Sequence, residues 1–454
     1  MRQRGSLPRR GGQRLTTTDE GTRANARPRT VGGASLATIV EVVAVAAAAL
    51  IAAVPAILTI PRLNYDSGSY LAPLSLSAER LPLVPAVFAV LGHNLRAIVV
   101  VQAVFGAACW SILAVEALRV ARRPACYLAF IGVLATSCSD YVTHWYGAIL
   151  SDSLSLSLTA LLLASLASWL AGRGSLARMM AVAVLWALTR DTNGYLLLLF
   201  GLGGLAIVGL KARSTARIIA AGAAILGGAA VIVSTDLGML WVQPFLHVTT
   251  ERVLVSAPRT AWFAAHGMPV TPTLLHQAGS YTPAADNSLR HSPALAPFRI
   301  WMHRAGERTY LEYALLHPWW ALKGTFGAHQ ELARSGLDYY GGTASRPWLP
   351  GFVKGLFLSH RQTTLAVGAG VAAALLVVRR RHLTGECGHI LWWSVLAVGG
   401  LLNLVIDWVG DSWEVGRHSV GATVELAVCV LFLAAIAAGN GAGGAHRPAE
   451  QAAC

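Results

Sequence analysis

Residues 36–60 read LATIVEVVAVAAAALIAAVPAILTI, and residues 61–70 continue as PRLNYDSGSY. The first stretch carries one charged side chain, Glu41, and is long enough as a helix to cross a bilayer's hydrocarbon core. The second changes abruptly to turn residues around a carboxylate, Asp66. Working outward, further apolar runs of spanning length occur at 95–118, 150–171, 193–210, 215–234, 363–378, 389–406 and 419–438. Two shorter runs lie at 124–139 and 176–189.

The whole chain has 454 residues, is 55% hydrophobic and only 13% charged, with a mean hydropathy of +0.53. Soluble domains carry about 25% charged residues, so the composition is that of an integral membrane protein. The net charge of +14 does not imply nucleic acid. Eight arginines fall in the first 29 residues, and most other basic residues cluster between apolar runs, which is the positive-inside pattern. The six cysteines form no C-x-x-C pair, so neither a zinc site nor a disulfide framework is expected. Eight histidines between 235 and 362 lack H-x-x-x-H spacing, and no metal or other cofactor is expected.

Charge placement sets the expected topology. With residues 1–35 as a disordered basic cytoplasmic tail, the inner connections hold Arg119/Arg122/Arg123, Arg173/Arg178, Lys211/Arg213/Arg217 and Arg379–Arg381. The outer ones hold Asp66, Glu79, Asp140, Asp152, Asp191, Asp411 and Glu414. Omitting either short run alone would put Arg379–Arg381 outside. The expected fold is therefore an all-α polytopic cell-membrane protein of about ten transmembrane helices with both termini cytoplasmic. Its parts are an N-terminal transmembrane module at 36–234 with a first outer loop at 61–94, an extracytoplasmic, partly interfacial segment at 235–362, C-terminal helices at 363–438 and a cytoplasmic tail at 439–454. Within the large segment, 267–297 reads as loop. Glu307–Trp320 alternates charge with leucine and aromatic residues, as a helix lying at the interface does.

Four groups could carry chemistry: Tyr65-Asp66-Ser67-Gly68-Ser69-Tyr70 followed by Arg80-Leu81-Pro82-Leu83-Val84-Pro85; Ser151-Asp152-Ser153; Thr189-Arg190-Asp191-Thr192-Asn193; and Asp407 to His418. A plainer reading stands beside each. Asp66 and Asp152 are good helix caps, Arg190 and Asp191 could form a local ion pair, and Glu414, Arg417 and His418 share a helix face at i, i+3 and i+4. Asp140 and His144 have similar spacing and could line an acceptor site or belong to an aromatic belt. The glycines at 201, 203 and 204 suit close helix packing.

In their order and sidedness these groups resemble the C superfamily (GT-C) of polytopic glycosyltransferases that use polyprenyl-phosphate sugars. The nearest likeness is to the protein mannosyltransferase and aminoarabinose transferase group. The matching residues are Asp66 after the first span, Pro82 and Pro85, Ser151-Asp152, and Leu188-Thr189-Arg190, with Arg417-His418 as a looser late-loop match. The pattern departs at Ser67, where the family often has a second acid, and at Asp191, where it has proline. The resemblance implies an enzyme moving a sugar from a polyprenyl-phosphate donor to an envelope lipid, glycan or protein acceptor on the outer face. Asp66 would be the general base, with Arg190, Arg417 and His418 on the donor phosphate. Tyr65, Tyr70, Asp140, His144, Asp152, Asp191 and Glu414 are further substrate-site candidates. The expected partners are that lipid-linked sugar, the envelope acceptor and the bilayer. Two alternatives stay open: a transporter or lipid flippase, to which Glu41 and Glu425 inside apolar runs point, and an inactive relative serving envelope assembly.

Overall fold

The structure is a computed structural model that describes residues 36–64, 66–73, 80–121, 123–211, 215–279, 283–328, 387–412 and 415–441. Tyr65, Glu414, the side chain of Asp140 and the expected span at 363–378 with Arg379–Arg381 lie outside the described residues, as do both tails apart from 439–441. The chain divides into two compact units, 1–42 and 43–454. The first is described only where α1 opens, and the second holds the rest of α1 and every later helix.

Among the described residues the chain is helical, with no strand and one isolated bridge between Arg62 and Ala148. The helices up to the long central hairpin are α1 Leu36–Leu58, α2 Ser67–Leu71, α3 Leu83–Val90, α4 Leu95–Ala117, α5 Cys126–Cys138, α6 Asp140–Thr143, α7 Asp152–Leu170, α8 Leu176–Ala187, α9 Asp191–Lys211 and α10 Thr215–Leu237. Shorter ones come next: α11 Val242–Val248, α12 Ala257–Ala265, α13 Pro272–Leu275, α14 Pro283–His291, α15 Ala296–Trp301, α16 Glu307–Leu316 and α17 Pro318–Gly327. The last described elements are α18 Cys387–Gly410, α19 Val415–His418 and α20 Val420–Gly441.

Six of these helices are long and apolar enough to cross a membrane, which makes this an all-α membrane protein. A seventh is reached if α5 and residues 141–147, bent by 50°, count as one broken span. The ten expected spans are not all present among the described residues. The run at 176–189 forms a helix of 12 residues, about 18 Å long at 1.5 Å per residue and short of the ~30 Å hydrocarbon core. The run at 124–139 stops at Ser139, whose extended backbone ends α5.

α7 is the central helix, packed on α4, α8 and α20 and buried along most of its length. Its hydroxyls explain how a serine-rich helix tolerates this. Ser157 Oγ donates to the Ser153 carbonyl at 2.7 Å and Thr159 Oγ1 to that of Ser155 at 2.9 Å, so these two hydroxyls are satisfied within the helix. α9 and α10 form a tight hairpin in which Gly194 and Gly228 sit face to face. A Cβ on Gly228 would lie 2.7 Å from the Leu198 backbone nitrogen and 2.9 Å from the Gly194 carbonyl oxygen. Gly201 plays the expected packing part against Ala224 and Ile225, whereas Gly203 faces open space.

Residues 242–327 gather short helices around a separate aromatic core that includes Phe245, Phe263, Phe298, Trp301 and Tyr310. The stretch expected to be loop, 267–297, holds α13 and α14. α13 begins with Pro272 behind Thr271, whose side chain accepts from the Leu274 amide. Proline is pre-shaped for the first helical turn, and a threonine cap satisfies an orphan amide. The expected interfacial helix at 307–320 is instead two helices, α16 and α17, broken at His317-Pro318.

Candidate functional site

The loop after α1 is pinned before it reaches Asp66. The Arg62 amide donates to the Gly147 carbonyl at 2.9 Å, and the Ile149 amide to the Arg62 carbonyl at 3.1 Å. The Arg62 side chain meets His144 at its ring Nδ1, 2.9 Å, and at its carbonyl. His144 is thus a clamp for this loop. Tyr146, fully buried, lies against Gly106 of α4, where a β-carbon would collide with its ring. This anchoring places residues 66–71 beside the start of α7, and Tyr70 Oη bonds Ser151 Oγ at 2.9 Å.

Asp66 occupies the cap position of α2 but makes no side-chain cap bond. Its carboxylate turns to arginines instead. Oδ1 pairs with Arg80 Nη2 at 2.9 Å and Oδ2 with Arg417 Nη1 at 2.8 Å. Arg417, from α19, also reaches Asp152 Oδ2 through Nε and Nη2, both at 3.1 Å. Asp152 Oδ1 accepts from Arg190 Nη1 at 3.2 Å. The result is a continuous chain Arg80–Asp66–Arg417–Asp152–Arg190, contributed by the first loop, the starts of α7 and α9, and α19.

The plainer readings of Asp152 and Arg190 give way to this chain. Asp152 spends its carboxylate on two arginines rather than on capping α7. Arg190 pairs with Asp152, while Asp191 Oδ1 accepts from the next amide, Thr192, at 2.9 Å. Arg417 bonds Asp66 and Asp152 across the bundle. Behind them the turn is stiffened by Asn193, whose Nδ2 contacts Ser155 Oγ, the Trp186 carbonyl and Thr189 Oγ1 at 3.0–3.1 Å.

Exposure grades along the chain. The side chains of Arg417 and Asp152 are 3% and 2% exposed, Arg190 10%, Asp66 13% and Arg80 27%. The network is sealed at Asp152 and opens at Asp66 and Arg80. The chain alternates three guanidinium groups with two carboxylates. Arginine's planar fork matches carboxylate and phosphate oxygens alike.

Next to it lies a second polar cluster. Asp411 is buried and accepts from or pairs with two imidazoles, His247 Nδ1 at 2.9 Å and His418 Nδ1 at 3.6 Å. Its Oδ1 also takes the Ser412 amide at 2.6 Å. Burial pushes the nearby Glu251 carboxyl above the usual glutamate range. Deeper in α18, Asp407 is 1% exposed and neither of its carboxylate oxygens has a hydrogen-bond partner. His247 lies outside the groups singled out from sequence, and Arg80 and Asp407 lie within them but were assigned no role. Arg80 carried the same signal as Arg190, a cation where the charge pattern expects none.

The other end of the bundle is different. There Glu116, closing α4, pairs with Arg119 at 3.0 Å and with Arg173, and no network of the first kind forms among the described residues. No group of three or more histidine, cysteine or acidic side chains able to hold a metal ion occurs among the described residues. No protein-family model, curated protein or solved structure matches the chain.

Proposed function

We propose that the chain is a membrane glycosyltransferase that moves a sugar from a polyprenyl-phosphate donor to an envelope acceptor at the extracytoplasmic face, with Asp66 as general base. The observation that carries this reading is the graded ion-pair chain. A partly exposed carboxylate is held by two arginines at the open end of a buried ion-pair network.

The chemistry rests on those groups. The acceptor hydroxyl gives its proton to Asp66, its oxygen bonds to the anomeric carbon, and the bond from that carbon to the phosphate oxygen breaks. Each carboxylate oxygen keeps a lone pair beyond the one its arginine uses, so Asp66 can accept a proton while the arginines fix its orientation. Negative charge grows on the departing phosphate, and Arg417 and Arg190 are suited to stabilise it in a site largely shut from water. A single base with no covalent partner gives inversion at the anomeric carbon. Tyr70, Asp152 and Asp191 serve by holding this frame.

The test supplies radiolabelled polyprenyl-phosphate sugars to membranes carrying the wild-type chain or Asp66→Asn. Loss of a general base lowers the rate about 10²–10⁴-fold. Transfer that survives the substitution removes Asp66 from the role.

A second reading, transport or lipid flipping, is favoured by Asp407 and Glu425, both buried within helices long enough to span. Ionisable groups at such depth often mark a substrate or proton path. Absence of transfer with every donor, together with substrate movement abolished by Asp407→Asn, would decide for it.

A further inference from the structure

We infer that α16 and α17 lie along the bilayer surface at the end of the bundle that holds the ion-pair chain, with Leu311, Leu315, Trp319 and Leu322 seated among lipid acyl chains. This placement is independent of the proposed activity. The four side chains are 52%, 79%, 75% and 36% exposed. Leu311 and Leu315 stand four residues apart on α16, and Trp319 and Leu322 three apart on α17, so each helix exposes an apolar pair on one face. The opposite face is accounted for. Tyr310, Tyr313, Ala321 and Thr325 are buried, and Tyr310 Oη donates to the Val409 carbonyl at 2.6 Å.

The occupant is identified by where the pair is anchored. α17 packs on α18, one of the helices long and apolar enough to span. Gly324 abuts the Trp408 ring so closely that a β-carbon there would fall within it. Trp408 stands two residues before the end of α18 at Gly410, so the contact lies where that helix leaves the hydrocarbon. α18 itself exposes Leu391, Val398 and Leu402, an apolar surface of the kind lipid covers. Arg308, Glu312 and Lys323 are exposed among these side chains, and long charged side chains on an interfacial helix reach out to headgroups. A tryptophan at this depth is the usual interfacial anchor.

The experiment places the photoreactive residue p-benzoylphenylalanine singly at Leu315, Trp319 or Leu322 of the full chain, irradiates intact membranes and identifies adducts by mass. The same probe at His303, exposed on the preceding turn, is the reference. Lipid adducts several-fold above the His303 level at two or more of the three positions are expected. Adducts to peptide, whether from residues elsewhere in the chain or from a second copy, would overturn the inference by showing protein against these side chains. Adduct levels equal to those at His303 would overturn it by showing water there. Because all three side chains point away from the core, the probes leave the packing of Tyr310 and Tyr313 intact. Trp320 fluorescence unchanged from wild type serves as the check.

Discussion

Replacing Arg417 with glutamine tests whether the ion-pair chain is a single coupled object. The substitution removes two bonds from Asp152 and one from Asp66. Asp152 is 2% exposed and would retain only Arg190 at 3.2 Å. Breaking a buried pair by removing one partner costs about 3–5 kcal/mol, because a charge is left buried without compensation. The surviving Arg190 puts the expected loss at the lower end, about 3 kcal/mol. Arg80→Gln is the internal control. It removes one contact from Asp66 between groups 27% and 13% exposed, and water screens that loss to about 0.2–1 kcal/mol. The assay is unfolding of the purified chain in detergent with rising denaturant fraction, followed by tryptophan fluorescence. A cycle of Arg417→Gln, Asp152→Asn and the double variant should give a coupling energy of about 0.5–3 kcal/mol. If Arg417→Gln costs no more than Arg80→Gln, or the cycle closes to zero, the chain of contacts does not hold the helices together and the proposed site loses its frame.

Gly228→Ala in α10 puts a carbon into the Leu198 and Gly194 backbone, and overpacking of this kind costs about 1–3 kcal/mol; a thermal shift assay that finds the variant as stable as wild type would show that α9 and α10 can separate freely. For Glu307, burial first and the nearby Asp236 second hold the carboxyl above its ordinary value of 4.5. The folded state therefore binds a proton that the unfolded state releases, so the stability contributed is full below that ordinary value and is lost as pH rises through the folded one. Glu307→Gln should flatten this decline, and a melting temperature measured against pH that falls equally in both proteins would contradict it. Asp66→Asn should lower transfer about 10²–10⁴-fold while leaving the melting temperature close to wild type, since Arg417 keeps its bonds to Asp152.

Much of the site could be read from residue order. Asp66, Asp152, Arg190 and Arg417 stand at the ends of apolar runs, where an ionisable group is costly and therefore informative. The structure brings all four into one network. Pairing was not readable in the same way, because Arg190 sits next to Asp191 in sequence yet bonds Asp152, which is 38 residues away. Local spacing favoured the neighbour, and helix packing decided otherwise. His144 illustrates the same limit. Its spacing from Asp140 was legible, whereas its contact with Arg62, 82 residues away, was not. The helical class and the long spans followed from hydropathy, whereas the short runs at 124–139 and 176–189 depended on a bend at Ser139 and a 12-residue helix that no hydropathy window resolves.

The contact between Asp66 and Arg417 joins residues 351 positions apart. At about 5–20 residues per second, synthesis leaves Asp66 waiting roughly 20–70 s for its arginine. Once made, Asp152 holds Arg190 alone until Arg417 arrives 265 residues later. The network is then a late step of assembly: a chain interrupted between residues 190 and 417 keeps Asp66 with Arg80 and Asp152 with Arg190 but lacks the cation that joins the two pairs.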